Sequence, residues 1–560
     1  MPDIREKIIY KLLKKVPKTA DDFSSVLRNE MRGRKSGEDL SRKIDLLRVY
    51  HAMLAKGKIK KSLALEQILT KRAVRTLSGV AIVTVLTEPH ECPGQCIYCP
   101  DEKEMPKSYI SDEPAAARAL SLQFDPYRQV SERIKTLTKN GHPTDKIELI
   151  VKGGTWNAYP PDYQYWFILR CFEAANNVKG TKKGNVEKIR KILQLAQKKN
   201  EIAKHRIIGL TLETRPDHVH PVKSGEAGSP LAKFNRVNEK NILIMRELGC
   251  TRIELGVQTI DDKILKLIKR GHDASETIRA TELLKNYGFK VDYHLMPQLP
   301  GSTPAKDAKM LAEIFDNPAY RPDMIKIYPC TVVKHSPLYK WVKSGKFKPY
   351  SDKKLIELLI NFKTIVPRYV RISRLIRDIP GHHIVAGNTM TNLRQVIQAE
   401  MARRGLHCNC LRCREVGHHE VESYKVHKVK SKLFVDKYEA SNGTEYFLSF
   451  CAQGASASGG EDDRNVVYAF CRLRLNKDGL YPAFIRELHT YGQMLKIGAK
   501  SAKDSQHKGL GLKLIKEVEK ICKKNKIQKL AVISGVGVRG YYRKLGYKLE
   551  NSYMIKDLTK

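Results

Sequence analysis

The sequence predicts an α/β protein in which a partial (β/α)6 TIM-like barrel is preceded by a small helical module and followed by a second α/β domain. Three patterns predict this fold. The first 75 residues repeat apolar side chains at helical spacing. Between residues 80 and 329, six β-rich runs alternate with helical stretches, as in parallel βα units. After residue 425, short strands surround one helix that opens at a glycine-rich turn.

The helical module, residues 1–75, is strongly basic. The first 80 residues hold 20 Lys and Arg against 9 Asp and Glu, and the whole chain of 560 residues has a formal net charge of +42. An excess of this size favours a polyanionic partner rather than a merely solvated surface. We therefore expect the chain to bind nucleic acid, with the helical module taking part.

The predicted barrel spans residues 76–385. Its strands are predicted at 80–86, 146–151, 206–212, 252–257, 290–296 and 323–329. Chemistry in such barrels takes place at the C-terminal ends of the strands. The cysteines of "HECPGQCIYCP" follow the first predicted strand directly, so this segment is the first candidate site.

Residues 386–425 form a predicted linker that carries a second cysteine cluster, and residues 426–560 form the second α/β domain. The chain has twelve cysteines, and six of them fall in the two tight clusters. This usage indicates metal binding in a reducing compartment, so we expect a cytoplasmic protein. No apolar run of about 18 residues predicts a membrane span, and the charged N-terminus does not resemble a signal peptide.

The first cluster, Cys92, Cys96 and Cys99, has CxxxCxxC spacing. Three thiolates suit a 4Fe-4S cluster that leaves one iron open for another ligand. The alternative is a zinc site completed by a nearby residue such as His90. The position after a barrel strand favours the iron-sulfur interpretation.

At these residues the chain resembles the radical S-adenosylmethionine superfamily, over roughly residues 76–345. The resemblance implies that S-adenosylmethionine takes the open iron position and yields a 5'-deoxyadenosyl radical. It also implies that Gly153 and Gly154, in "IVKGGTWNAYP", approach the methionine moiety. Gln258, in "GVQT", is a further candidate ligand of S-adenosylmethionine.

The segment "QHKGLGLKL", residues 506–514, resembles the acetyl-CoA pyrophosphate loop of GCN5-related N-acetyltransferases, the GNAT family. Glycines let backbone N–H groups approach phosphates, and the helix N-terminus adds a positive dipole end. A strand before it, "IRELHTYG", could follow the pantetheine arm. Tyr541 and Tyr542 would then lie near the thioester, where a phenol could protonate a leaving thiolate.

Both modules together resemble the family of Elongator catalytic subunits, the tRNA wobble-uridine acetyltransferases. Nine motifs carry this resemblance in order, from "VRTLSGVAIVTVLTEPHECPGQCIYCP" through "TLETRPD", "YHLMPQLPG" and "RCREVG" to "ISGVGVRGYYRKLGY". It implies a tRNA-modifying enzyme that uses radical chemistry and acetyl-CoA to install a carboxymethyl group at C5 of the wobble uridine in the anticodon stem-loop. It leaves the electron donor unknown and favours a chain that works without accessory subunits.

The same resemblance implies catalytic roles for Cys92, Cys96, Cys99, Lys152 and Tyr542. It implies that acetyl-CoA contacts Lys152 in the barrel, so that its site bridges both domains. The other implied contacts are Glu487, Leu488, His489, Thr490, Leu510, Gly511, Leu512 and Tyr542.

The second cluster, Cys408, Cys410 and Cys413, has CxCxxC spacing that suits structural zinc. Its fourth ligand is expected to be Cys330, at the end of the sixth strand, with His407 as the alternative. A zinc ion bound by Cys330 and by the second cluster would connect the linker to the barrel.

Two other functions stay open at this point. A protein lysine acetyltransferase with a non-catalytic barrel would need only the second domain. A non-catalytic tRNA-binding scaffold would need neither cluster, and the intact cysteine motif and glycine loop disfavour it.

Overall fold

The computed structural model describes residues 4–17, 20–31, 43–69, 78–178, 180–219, 239–418, 431–455, 461–491 and 509–559. Four helices come first: α1 (Ile4–Lys14), α2 (Ala20–Met31), α3 (Lys43–Ala55) and α4 (Leu63–Leu69). They bury their own apolar cluster, which includes Ile8, Phe23, Leu46 and Tyr50. Within the described residues this cluster takes no side chain from the rest of the chain, so the four helices have a core of their own.

A seven-stranded parallel sheet forms the half-barrel, in the order β1-β2-β3-β4-β5-β6-β8. Its strands are β1 (Ala81–Leu86), β2 (Lys146–Lys152), β3 (Arg206–Thr214), β4 (Arg252–Gln258), β5 (Lys290–Leu295), β6 (Met324–Ile327) and β8 (Arg371–Arg374). The short strand β7 (Val332–Val333) precedes β8 and pairs with β9 (Ile384–Ala386). The prediction of parallel βα units is confirmed, but the sheet has one strand more than the six predicted.

Helices cover the outer face of the half-barrel, as the alternating pattern requires. They are α5 (Pro114–Ser121), α6 (Pro126–Lys139), α7 (Pro161–Ala175), α8 (Val186–Asn200), α9 (Lys240–Glu247), α10 (Asp262–Leu267), α11 (Ala274–Asn286), α12 (Pro304–Asp316), α13 (Leu338–Lys343) and α14 (Asp352–Ile365). Two further helices, α15 (Leu393–Arg403) and α16 (Leu411–Arg414), lead to the second sheet. No helix in the described part of the chain has the length and apolar character needed to cross a bilayer.

The second sheet has the order β10-β11-β12-β13-β14-β16-β15. Its strands are β10 (Lys432–Ala440), β11 (Gly443–Ala455), β12 (Glu461–Asn476), β13 (Ala483–Thr490), β14 (Lys529–Val532), β15 (Lys548–Glu550) and β16 (Tyr553–Asp557). Helix α17 (Leu510–Lys524) packs on it and α18 (Arg539–Arg543) follows. Strands β10 to β13 are antiparallel, and β13 and β14 are parallel.

The second sheet docks against the N-terminal ends of the barrel strands. Arg486 of β13 donates two hydrogen bonds of 2.5 and 2.8 Å to Asp323, the residue before β6. Arg371, the first residue of β8, bonds Glu415 and the Tyr491 hydroxyl. A Cβ on Gly535 would lie 1.9 Å from the backbone oxygen of Ile208 in β3, so only glycine allows this close approach.

Candidate functional site

The first cysteine cluster lies at the C-terminal end of β1, opposite the second sheet. Cys96 is buried, and Cys92 and Cys99 are partly exposed. The sulfurs of Cys92, Cys96 and Cys99 do not all lie within 4.8 Å of one another, whereas those of the second cluster do. Thiolates on one tetrahedral zinc would stand roughly 3.8 Å apart. Three thiolates on one short segment suit a 4Fe-4S cluster that keeps one iron open.

Two arginines direct positive charge at Cys96. The Sγ atom lies 3.4 Å from Nη1 of Arg270 and 3.8 Å from Nη1 of Arg215. Burial alone would raise the pKa of the Cys96 thiol, but these guanidinium groups outweigh burial and lower it. Burial raises the pKa of the Cys99 thiol to about 12, with the nearby Cys96 adding to the effect. The pocket thus favours a thiolate at Cys96 in particular.

The C-terminal ends of β2 and β4 lie on the same side of the barrel as the first cysteine cluster. Gly153 and Gly154 have φ angles of 148° and 90°, and Gln258 has a φ of 69°. Three buried polar atoms lack a hydrogen-bond partner beside these strand ends: Trp156 Nε1, Asn157 Oδ1 and Thr214 Oγ1. The unpartnered polar atoms fit a polar ligand such as S-adenosylmethionine.

Charged side chains line the inside of the half-barrel, which we call the lumen. Glu254 of β4 accepts hydrogen bonds from Lys152, from Lys326 at 2.5 Å and from His294 at 3.1 Å. Tyr109 donates to Glu213 at 2.7 Å, and Lys152 lies 3.2 Å from the same carboxylate. A TIM-type barrel normally fills this space with apolar layers.

Sequence reasoning singled out only Lys152 among these residues. Strands buried on both faces should read as continuous apolar runs. Instead, the charged residues of "KIELIVK", "RIELGVQ" and "KVDYHL" all fall on one set of alternating positions. This alternation was the available signal for a polar lumen.

Lys152 lies inside the lumen. It ends β2 at the C-terminal side, whereas the second sheet docks at the N-terminal side. Its ammonium group is held by Glu213 and Glu254 within the lumen. Burial alone would lower its pKa, but these carboxylates raise it. The expectation that acetyl-CoA contacts Lys152, so that its site bridges both domains, stays a prediction.

The predicted acetyl-CoA strand is β13, and its side chains alternate between two faces. Glu487 and His489 face the barrel: Glu487 lies 3.4 Å from Lys290, and His489 Nε2 lies 3.0 Å from the Ser78 carbonyl. Leu488 and Thr490 face α17, near Gly511. Pairing of β13 with β14 runs only from Ala483 to Ile485. The two parallel strands thus separate beside Glu487–Thr490 and leave an edge that fits a pantetheine arm.

Helix α17 begins at the predicted glycine loop. Gly509 is its N-cap with a φ of 72°, and Leu510, Gly511 and Leu512 form its first turn. Backbone N–H groups of a first turn lack helical partners, which suits a pyrophosphate. Residues 506–508 of the predicted loop lie outside the described residues.

The tyrosine pair is split between the cleft and the core. The Tyr541 hydroxyl would lie 3.2 Å from a Cβ on Gly511, and the ring is 40% exposed. Tyr542 is 5% exposed and packs edge-on against Tyr547 in the apolar cluster of the second sheet. The structure thus brings Tyr541, more than the predicted Tyr542, to the glycine loop.

The second cysteine cluster is closed around three sulfurs. Those of Cys408, Cys410 and Cys413 lie within 4.8 Å of one another, with Lys363 Nζ 3.8 Å from Cys413. Three close thiols with a neighbouring cation fit a zinc ion. The expectation for Cys330 is corrected: its thiol packs with Cys96 and Leu338 in another apolar cluster, because β6 ends on the opposite side of the barrel. His407, which directly precedes Cys408, stays the candidate for the fourth ligand.

Comparisons with known proteins agree with this arrangement. The family model "Radical SAM superfamily" matches residues 89–314, and "Radical_SAM C-terminal domain" matches residues 322–403. A tRNA uridine(34) acetyltransferase of Methanocaldococcus infernus is 45% identical over 510 residues, covering 88% of each chain. Elongator complex protein 3 of Homo sapiens is 35% identical and covers 88% of this chain and 86% of its own.

A solved structure of the archaeal Methanocaldococcus infernus Elp3 with an N-terminal deletion superposes with a TM-score of 0.69. It is 41% identical and covers 86% of this chain and 100% of that chain. The parallel half-barrel, the cysteine cluster at its C-terminal end and these similarities lead to one conclusion. The chain belongs to the radical SAM family that comprises the tRNA uridine(34) acetyltransferases and Elongator complex protein 3.

Proposed function

We propose that this protein is a tRNA-modifying enzyme that installs a carboxymethyl group at C5 of the wobble uridine, using S-adenosylmethionine and acetyl-CoA. The observation that carries the proposal is the placement of two cofactor-type sites at the two ends of one lumen. The cysteine cluster lies at the C-terminal ends of the barrel strands, and the edge of β13 that we propose for acetyl-CoA lies at their N-terminal ends. The relatives' names support uridine 34 of tRNA as the target.

At the cluster end, Cys92, Cys96 and Cys99 would hold a 4Fe-4S cluster, with Gly153, Gly154 and Gln258 beside S-adenosylmethionine. When bound, this pair of cofactors supplies a 5'-deoxyadenosyl radical, which can take hydrogen from an unactivated methyl group. Arg215 and Arg270 hold positive charge beside Cys96 and so stabilise its thiolate. The buried Ile97 and Tyr98 exclude water from the thiolates around them.

At the acetyl-CoA end, the first turn of α17 would bind the pyrophosphate and the free edge of Glu487–Thr490 would bind the pantetheine arm. Tyr541 would place its phenol beside the bound CoA at the first turn of α17. Zinc at Cys408, Cys410 and Cys413 would fasten α16 at the junction of the two sheets. We expect the basic surface and the N-terminal helices to bind the anticodon stem-loop of tRNA in the cytoplasm, without accessory subunits.

A protein lysine acetyltransferase would need only the second sheet. Nothing in that function requires cysteines flanked by two arginines at the far end of a polar lumen. The relatives' names also favour a tRNA substrate.

The test is anaerobic. The protein is reconstituted with iron and sulfide, reduced with dithionite, and supplied with S-adenosylmethionine, acetyl-CoA and unmodified tRNA. Digestion and mass spectrometry should reveal carboxymethyluridine with the wild type and none with Cys96→Ala. Cleavage of S-adenosylmethionine without any modified uridine would contradict the substrate assignment.

A further inference from the structure

Two buried carboxylates stand side by side in the middle of the lumen. Glu254 of β4 and Asp292 of β5 are direct register partners on adjacent parallel strands. They are 0% and 1% exposed. Paired residues on one face of a sheet have their Cβ atoms about 5 Å apart, so these carboxylates are neighbours.

Their oxygen atoms are largely without partners. Both oxygens of Asp292 and Oε1 of Glu254 are buried and make no hydrogen bond in the structure. Nε of Arg252, on the same face of β4, is also buried and unpartnered. Buried polar atoms normally find partners, and ordered water with about three hydrogen bonds is the usual solution. Three unpartnered acceptors on two adjacent strands fit a buried water molecule.

The charges around Asp292 favour a proton-accepting carboxylate. Burial raises its pKa to about 6; Glu254 adds to the rise, whereas Lys326, Arg252 and Lys152 oppose it. A base whose pKa lies near the working pH is the most effective one. Burial also lowers the pKa of Lys326 to about 8, against the pull of Glu254.

The role that we infer for this pair of carboxylates rests on the proposed function. An acetyl unit joined to the wobble uridine and still bound to CoA would have its uridine at the cluster end and its CoA at the β13 end. A strand of six residues spans about 20 Å, so the thioester between them lies inside the lumen. Its hydrolysis to the carboxymethyl product needs a water molecule and a base at that level.

We propose that Asp292 and Glu254 hold the water that hydrolyses the uridine-linked thioester, and that Asp292 accepts its proton. The water oxygen forms a bond to the thioester carbonyl carbon while one of its O–H bonds breaks toward Asp292. The C–S bond then breaks and CoA leaves as its thiol, taking the proton that Asp292 accepted. The carboxymethyl group stays on the uridine and loses the second proton of the water to solvent, which makes it a carboxylate. Lys326, whose charge acts on Asp292, would stabilise the oxyanion that forms on the carbonyl oxygen.

The test compares Asp292→Asn with Glu148→Gln. Glu148 is also a lumen carboxylate, but it is satisfied by Arg252 at 3.1 Å and by the Thr211 hydroxyl at 3.1 Å. Under the anaerobic conditions above, tRNA is digested and analysed for carboxymethyluridine and for a uridine–CoA thioester, and 5'-deoxyadenosine is measured in parallel.

With Asp292→Asn we expect 5'-deoxyadenosine at the wild-type level, accumulation of the thioester, and hydrolysis slower by on the order of a hundredfold. Glu148→Gln should hydrolyse at close to the wild-type rate. The wild-type hydrolysis rate should fall as the pH drops below about 6, and Asp292→Asn should lose this dependence. Equal hydrolysis by Asp292→Asn and Glu148→Gln would overturn the inference while leaving the proposed function intact.

Glu254→Gln provides a second variant if Asp292→Asn does not fold, and it should accumulate the same thioester. Asp292→Glu should restore part of the hydrolysis, which a purely structural role would not predict. A wild type that makes neither carboxymethyluridine nor the thioester would overturn the proposed function as well.

Discussion

Tyr541 and Tyr542 occupy adjacent positions but different environments. The Tyr541 ring is 40% exposed beside the first turn of α17, whereas Tyr542 is buried against Tyr547. We predict that Tyr541→Ala weakens binding of a non-hydrolysable acetyl-CoA analogue and leaves the melting temperature unchanged. Tyr542→Ala should instead lower the free energy of unfolding by about 3 kcal/mol, because it opens a cavity in the core.

Isothermal titration calorimetry with the analogue and thermal unfolding separate these effects. If Tyr542→Ala loses the analogue without losing stability, the assignment of the two tyrosines is reversed.

Glu487 links the acetyl-CoA edge to the barrel through charge. Burial alone would raise its pKa, but Lys290 and Arg472 outweigh burial and lower it from 4.5 to about 2. A carboxyl with a lowered pKa stabilises the folded state above pH 4.5, and this contribution is lost as the pH falls toward 2.

We predict that the wild type loses stability steeply in this window and that Glu487→Gln loses less. Denaturant unfolding at several pH values measures the difference. A parallel pH dependence for the two proteins would contradict the role of Glu487.

At the scale of elements, β13 is fixed beneath the barrel by buried ion pairs. Arg486 contacts Asp323 at 2.5 Å and Glu445 at 2.9 Å, and all three side chains are fully buried. Removing one partner of a buried pair leaves an uncompensated charge. We predict that Arg486→Met lowers the free energy of unfolding by about 3–5 kcal/mol.

The matched control is Arg404→Met, because Arg404 pairs with Glu357 and Glu400 at the surface. Urea unfolding of both variants should show a large change for Arg486 and little for Arg404. Similar small changes would mean that the interface is held mainly by apolar packing.

Most elements could be predicted from the sequence because their periodicity is strong. The six predicted strands appear as β1 to β6, and α17 begins at its glycine turn. β8 could not be predicted, because "RISR" has only four residues and one buried side chain. Its strand character comes from pairing with β6, a contact that local pattern does not encode.

The site was predictable where ligands are close in sequence and less so where they are distant. The cysteine spacings indicate the two clusters directly. The roles of Lys152 and Cys330 required knowing which end of the barrel meets the second sheet. Tertiary contacts, such as the one between Arg486 and Asp323, determine which end of the barrel meets the second sheet. These contacts leave no periodic pattern in the sequence.

At the scale of the whole molecule, the charge of +42 makes tRNA binding salt-dependent. Each phosphate that the protein neutralises steepens the fall of affinity with salt. The N-terminal helices have a separate apolar cluster, so deleting residues 1–75 should leave the half-barrel and the second sheet folded. We predict that this deletion weakens tRNA binding and makes its salt dependence shallower, while acetyl-CoA analogue binding is retained.

Fluorescence anisotropy with labelled tRNA at several salt concentrations measures both quantities. An unchanged salt slope after the deletion would place the tRNA contacts elsewhere on the chain.

The central claim is that the two ends of the lumen act on the same acetyl unit. The most direct measurement uses acetyl-CoA with a fully deuterated methyl group under the anaerobic conditions above. If the methyl group loses one deuterium to the 5'-deoxyadenosyl radical, 5'-deoxyadenosine should gain one deuterium. Carboxymethyluridine should then retain the remaining two. Carboxymethyluridine without deuterium, or 5'-deoxyadenosine that stays unlabelled while the product forms, would contradict the account.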